Sequence, residues 1–302
     1  MMSKRLSNGR SLLNPYMALS LASLFWSGNF IVGRALRDDV TPVTLNFWRW
    51  FIALLILAPV CIPAIVKQRS LIARCWRLIV LLGITGIAAF HICVYQALRD
   101  TTAINALLFL SLTPVTIVIG SWLMYRDPVT RRQAAGIAIS LSGAVVIICH
   151  GEVVRLVTLK FNHGDLWMLA AMLLWAVYSV ALKTKPPQLA QKSMLGATVM
   201  VGVTVMLPLY FSVGQPAIGL LKSGVGPLFG LLYISLFASV LSYFFWNRGL
   251  HDIGPNKAGV FLHLMPLFGA VLSLLFLGEG LRLYHLAGAI FIFSGIMLSS
   301  RV

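Results

Sequence analysis

The sequence predicts an all-α polytopic membrane protein whose ten transmembrane helices form two inverted five-helix repeats. Three observations carry this prediction. The 302 residues are 59% hydrophobic and only 11% charged, an apolar excess that a water-soluble domain could not bury. The apolar residues fall in ten windows, each close to the roughly 20 residues that a helix needs to cross a hydrocarbon core. Residues of the first half also recur in the second half at a constant separation of 152 positions. Ten such helices use about 200 residues and leave no room for a separate soluble domain. A membrane β-barrel is excluded because its strands alternate apolar and polar positions, whereas a run such as Leu78–Ile84 is apolar on every side.

Taken in order, the windows are 15–34, 42–63, 77–98, 103–124, 132–149, 164–183, 193–213, 226–247, 255–277 and 283–300. Lys4, Arg5 and Arg10 precede the first window as they would in a signal peptide. That window runs on to Leu36 without a small-residue cleavage site, so it is read as the first span. The chain then divides into a tail at 1–14, a first repeat at 15–149, a connection at 150–163 and a second repeat at 164–302.

Cytoplasmic loops retain Lys and Arg during insertion. One side of the predicted bundle collects 16 of the 24 basic residues, the other collects 7, and Arg49 lies inside a span. The richer side holds the N-terminal tail with Lys67, Arg132, Lys185 and Arg301; the poorer side holds Arg34, Arg155, Lys160, Lys222 and Arg282. Both termini are therefore expected in the cytoplasm, and 150–163 outside. The net charge of +16 is dealt out between spans and serves topology, so nucleic acid is not an expected partner. The lipid bilayer and a small-molecule substrate are; oligomeric state is left open. Cys61, Cys75, Cys93 and Cys149 show no CxxC spacing and read as packing residues, with neither a disulfide framework nor a metal site. No cofactor motif is present.

The 152-residue shift superimposes Leu98 on Leu250, Ala106 on Ala258, Pro114 on Pro266, Ser121 on Ser273, Gly136 on Gly288 and Gly143 on Gly295 without a gap. Trp26 and Trp175 correspond once three residues are dropped. Five spans per repeat is an odd number, so the second copy must enter the membrane from the opposite side. Inverted repeats of this kind place a site at the midplane between two gates. Pro114, Pro266 and the four glycines are the expected packing or hinge positions.

Leu24-Phe25-Trp26-Ser27-Gly28-Asn29-Phe30, Pro42 with Phe47-Trp48-Arg49-Trp50, Leu112-Thr113-Pro114, and Leu277-Gly278-Glu279 followed by Gly288 and Gly295 resemble the EamA-type branch of the drug/metabolite transporter superfamily. The resemblance covers essentially the whole chain. It implies a ten-helix fold with a substrate path between the halves, and it leaves the substrate open, because members handle many metabolites. Arg126-Asp127-Pro128 departs from the pattern, which often has Glu in place of Asp127; this is expected to affect the loop more than the mechanism.

Arg49 lies roughly 10 Å inside the outer face at 1.5 Å per residue, where a charge must be paired or hydrated. It either meets an anionic substrate group or is tied to helix-end carbonyls. His91 and Tyr95 are four residues apart and share a helix face, and the shift maps them onto Tyr243 and Asn247. A single such pair reads as core packing; the recurrence leaves cavity lining and core packing equally open. His263, which corresponds to Ser111, is a further candidate. Trp26, Asn29 and Gly33 share one face of the first span, and Trp175, Tyr178 and Ser179 one face of the sixth. Both tryptophans fall near the midplane, where a shared aromatic pocket and simple packing are equally open.

All eight acidic residues, Asp165 and Glu279 among them, lie in connections or at helix ends, so no carboxylate relay runs through a span. Proton coupling would have to use His91 or His263, since imidazole titrates near neutrality; uncoupled, gradient-driven transport is the simpler expectation. The expected activity is an inner-membrane carrier, an exporter, moving a small polar metabolite by alternating access. The substrate is expected to be zwitterionic or carboxylate-bearing, such as an amino acid or a derivative, a metallophore included. A passive channel is the alternative. A membrane enzyme has less support, since the spans hold no HExxH, GxSxG or clustered acids.

Overall fold

A computed structural model describes residues 14–101, 103–152, 154–214, 225–277, 280 and 282–300. Lys4, Arg5, Arg10, Lys222, Gly278, Glu279 and Arg301 lie outside the described residues. Among those described, the regular structure is helical throughout, and nine helices are long and apolar enough to cross a membrane. They are α1 (Pro15–Ala35), α2 (Pro42–Lys67), α3 (Trp76–Asp100), α4 (Asn105–Tyr125), α5 (Arg131–Ile148), α6 (His163–Thr184), α7 (Gln191–Val213), α8 (Val225–Ile253) and α10 (Leu283–Ser300).

The ninth window, α9 (255–277), is not one continuous helix. It runs as Pro255–Gly259, a 3-10 turn at Val260–His263, and Leu264–Leu277. In α4 the corresponding interruption falls at Leu112, before Thr113–Tyr125. Both breaks precede the paired prolines Pro114 and Pro266, which lack the N–H that a continuous helix would use. α2 and α8 run beyond their predicted ends at 63 and 247. Apolar counting stops near the first charged side chain, but the helix carries Lys67 and Arg248 outward before it ends.

Helix starts follow local chemistry. Asn14 caps α1 through Tyr16 N at 3.0 Å, and Pro15 occupies the first turn, where its missing N–H costs nothing. Reciprocal capping boxes open α5 at Thr130/Gln133 and α6 at Asn162/Asp165. Asp165 is fully buried and also accepts from Thr101 Oγ1 at 2.5 Å and from Asn105 Nδ2 at 3.0 Å. One carboxylate thus joins the start of α6 to the end of α3 and the start of α4.

α5 and α10 cross at four glycines. A Cβ on Gly136 would stand 2.6 Å from Gly295 O, and one on Gly143 would stand 2.6 Å from Gly288 O. The reciprocal contacts, Gly295 to Gly136 O at 2.5 Å and Gly288 to Gly143 O at 2.8 Å, are equally close. Only glycine permits this backbone approach, on which helix association in lipid relies. Residue number rises along one helix as it falls along the other, so these equivalent helices run antiparallel.

α3 and α8 each contain a π-helical stretch, Gly83–Ala89 and Ile234–Leu241. The 152-residue shift carries the first onto 235–241, so the distortion is a repeated feature. A π-helical stretch disturbs the ordinary hydrogen-bond ladder, and such stretches gather at functional sites.

Candidate functional site

The central site is assembled around those two stretches. Gly86 O in α3 accepts from the Tyr243 hydroxyl. Its repeat equivalent in α8, Ala238 O, accepts from Trp26 Nε1 at 2.9 Å and from Arg49 Nη2 at 2.9 Å. Asn46 Nδ2 reaches Ile87 O at 3.1 Å and Ala88 O at 2.9 Å. Side chains thereby satisfy carbonyls at both irregular segments.

Arg49 is fully buried, and its bonds go to neutral partners. Nε donates to Ser239 Oγ at 2.5 Å, Nη1 to Asn29 Oδ1 at 3.0 Å and to the Tyr95 hydroxyl at 2.8 Å. Tyr95 in turn donates to Asn29 Oδ1 at 2.9 Å. The guanidinium therefore ties α2 to α1, α3 and α8 through three side chains and one carbonyl, and the site has a positive centre solvated by dipoles.

Beside it lies an aromatic cluster. Trp26 meets Trp175 edge-on at 5.1 Å, Trp246 at 5.4 Å and Tyr243 at 5.9 Å. Trp175 stacks on Tyr178 at 5.0 Å, and Trp50 meets Tyr243 edge-on at 4.8 Å. His91 lies 4.6 Å from Phe90 and 6.1 Å from its repeat equivalent Tyr243. Tyr178 donates to Asn247 Oδ1 at 2.8 Å. Four buried nitrogens in this cluster have no hydrogen-bond partner among the described residues: Nε1 of Trp50, Trp175 and Trp246, and Nδ1 of His91. Unsatisfied buried polar atoms are costly and uncommon, so four together require an explanation.

His263 stands apart from this cluster, between α4 and α5, where its ring meets Ser140 Oγ and Ser111 O, each at 2.8 Å. Nine of the ten candidate residues thus share the central network or cluster, and His263 occupies a separate interface. Asn46, Trp50, Phe90, Ser239 and Trp246 were not singled out from the sequence. Trp50 lies within the Phe47-Trp48-Arg49-Trp50 segment, and Ser239 and Trp246 lie one turn either side of Tyr243, which is the signal that could have found them.

Two cavities flank the cluster. The larger, about 740 Å³, opens at the end that carries Arg34, Arg155 and Arg282, and reaches inward to Ser27 and Met265. The smaller, about 270 Å³, opens at the opposite end beside Lys185 and His251 and includes Asn247. No described residue lines both. Trp26 and Trp246, in contact with each other, adjoin Ser27 in one cavity and Asn247 in the other. Asn247 is the one candidate of the ten that lines either space; eight of the others are packed among themselves, and His263 is buried at its separate interface.

The smaller cavity's end carries an ion pair between the halves. Lys183 Nζ donates to Asp127 at 2.5 Å, Ser121 Oγ donates to the same carboxylate at 2.5 Å, and the ammonium lies 5.0 Å from the Tyr125 ring centre. Burial pushes the Asp127 carboxyl up, but the bonds from Lys183 and Ser121 outweigh it and hold it below its ordinary value.

The model of the EamA-like transporter family matches residues 13–149 and again 162–301, which together cover most of the chain. The chain belongs to this family. Among its relatives, the uncharacterised transporter YyaM of Bacillus subtilis is 24% identical over 96% of this chain and 94% of its own. A probable terminal-alkyne amino-acid exporter of Streptantibioticus cattleyicolor is 27% identical over 94% and 92%, and a probable biotin transporter of Pseudomonas aeruginosa is 25% identical over 91% and 94%. A solved crystal structure shares the fold with a TM-score of 0.75 at 17% identity, covering 95% of this chain and 96% of that one. Membership of this family and these names point to a multi-pass membrane transporter rather than an enzyme.

Proposed function

We propose that this member of the EamA-like family is an inner-membrane carrier that exports a small polar metabolite by alternating access between its two five-helix halves. One observation carries the reading: an aromatic plug built on equivalent positions of the two repeats separates two cavities that open at opposite ends. A channel needs a continuous path, whereas a carrier needs a barrier that can be exchanged for another. The larger cavity is the external one and the Asp127–Lys183 end is cytoplasmic, with both termini on the cytoplasmic side and the repeats at 15–149 and 164–302. The four partnerless nitrogens are donors or acceptors for a substrate that the occluded state would hold among these rings. With Arg49 nearby, they suit a carboxylate-bearing or zwitterionic compound, an amino acid or its derivative, a metallophore included. The relatives named for an amino acid and for biotin support a small-molecule substrate.

The test compares internal and external metabolites in cells with and without the protein. A single compound depleted inside and enriched outside is the expected result; no difference under any nutrient condition sinks the reading. Reporter fusions after Lys67, Arg132 and Lys185 are expected to read cytoplasmic, and those after Asp100, Lys160 and Lys222 external. Single-channel currents from the purified protein would replace the carrier with a channel.

A further inference from the structure

The larger cavity has a composition that differs from that of the central cluster. Its mouth carries three guanidinium groups, Arg34, Arg155 and Arg282, and among the described lining residues there is no carboxylate. Glu152, just outside the lining, is held by Arg155 Nε at 2.8 Å, which leaves Arg34 and Arg282 in excess of it. Among the described residues, Arg34 makes a long 3.5 Å contact to Thr101 O. Burial, with Arg155 nearby, holds His150 below the usual imidazole value, so the permanent charge at the mouth is guanidinium. Deeper in, the wall is apolar, formed by Phe30, Leu107, Ile147 and Met265. The volume of about 740 Å³ lies within the range of small-molecule sites.

We propose that this cavity binds an amphipathic organic anion, with its carboxylate at the arginine mouth and its apolar body against the inner wall, in preference to a zwitterion. A planar guanidinium matches a carboxylate with two parallel bonds. An α-ammonium group would find there two guanidinium groups in excess of Glu152 and no acid among the described lining residues. This narrows the substrate class of the carrier reading and rests on it: the preferred cargo is a carboxylate whose amine is absent or acylated.

Equilibrium binding to the full chain in phosphatidylcholine nanodiscs tests it, with N-acetylphenylalanine, phenylalanine and phenylalaninamide as probes. N-acetylphenylalanine is expected to bind about tenfold more tightly than either of the others, and to weaken as salt rises. Arg282→Gln and Arg155→Gln are each expected to weaken it by about tenfold, with partial recovery in Arg282→Lys. Elution of these variants as folded, monodisperse protein keeps the comparison valid, and Arg34→Gln supplies an independent third variant. Equal affinity for phenylalanine, indifference to all three arginine substitutions, or no binding to the wild type would overturn the proposal. A second set of nanodiscs containing phosphatidylglycerol separates a lipid source of the same chemistry. Unchanged affinity is expected, while arginine-dependent displacement by that lipid would assign the cavity to a headgroup and overturn the soluble anion. Because binding is read on purified protein, failure here leaves the metabolite comparison to decide the carrier reading separately.

Discussion

His263 Nε2 lies 2.8 Å from the carbonyl oxygen of Ser111, and these two residues occupy the same position in the two repeats. Equivalent residues can touch only near the pseudo-two-fold axis that exchanges the halves. Trp26 with Trp175 and His91 with Tyr243 are two more such pairs in contact, so the axis runs through the central cluster as well. A carbonyl oxygen can only accept, so Nε2 must carry the proton, and Nδ1 is left facing the Ser140 hydroxyl at 2.8 Å. Both ring nitrogens are engaged. His263→Ala is therefore expected to lower stability by about 1–3 kcal/mol by orphaning the Ser111 carbonyl and the Ser140 hydroxyl. Thermal unfolding of the purified protein in detergent checks this; an unchanged midpoint would show that the pair contributes nothing.

The glycine crossing gives a prediction independent of substrate. A Cβ at Gly143 would stand 2.6 Å from Gly288 O and 2.8 Å from Ile292 N, both backbone atoms that cannot swing aside. Gly143→Ala should force α5 and α10 apart, at about 1–3 kcal/mol, with a larger loss for Gly143→Val. Gly226, with none of the described residues within 4 Å of its Cβ position, is the control site, where Ala should be tolerated. Fluorescence-detected size-exclusion profiles would show the folded fraction falling in the first case only.

Trp26 and Trp175 separate packing from binding because only one of their indole nitrogens is used. Trp26 Nε1 donates to Ala238 O, whereas Trp175 Nε1 has no partner among the described residues. Trp175→Phe keeps most of the ring and removes only the orphaned donor, so folded yield should hold while transport falls. Trp26→Phe should lose folded yield as well, by about 1–3 kcal/mol, since a buried carbonyl loses a donor. Full transport in Trp175→Phe would show that its nitrogen serves no ligand.

The Asp127–Lys183 pair joins the halves at the end opposite the larger cavity, so breaking it should populate the conformer in which that cavity is closed. Lys183→Met in a cysteine-free background carrying Leu107→Cys is expected to slow labelling by a membrane-impermeant maleimide, and Asp127→Asn should do the same. The pH dependence follows in sign. Because the Asp127 carboxyl is held below its ordinary value, the pair persists at neutral pH and loses its contribution as pH falls through that depressed value. The ratio of the labelling rate of the Leu107→Cys protein to that of its Asp127→Asn variant, in which the thiol's own pH dependence cancels, should therefore fall toward one at strongly acid pH.

Nine of the ten expected spans and the repeat spacing are legible in the amino-acid order, whereas the ends of α2 and α8 and the break in α9 are not. Crossing a hydrocarbon core demands about 20 apolar residues whatever the neighbours are, and caps such as Asn14 and Asn162 act within three residues of their targets. The glycine and proline pairs were legible because their effect is on the backbone. Which polar side chains meet follows from the packing of the helices. A membrane helix is apolar on its lipid face and on its packed face, so its pattern does not state how it is rotated, and the π-helical stretches in α3 and α8 shift that rotation again. Arg49 could be recognised as buried, but not as bonded to Ser239, Asn29, Tyr95 and Ala238, because those partners come from three other helices. For the same reason the open cavity beside Arg34, Arg155 and Arg282 could not be read from residues that lie far apart in the chain and converge only when α1, the 150–163 connection and α10 are packed together.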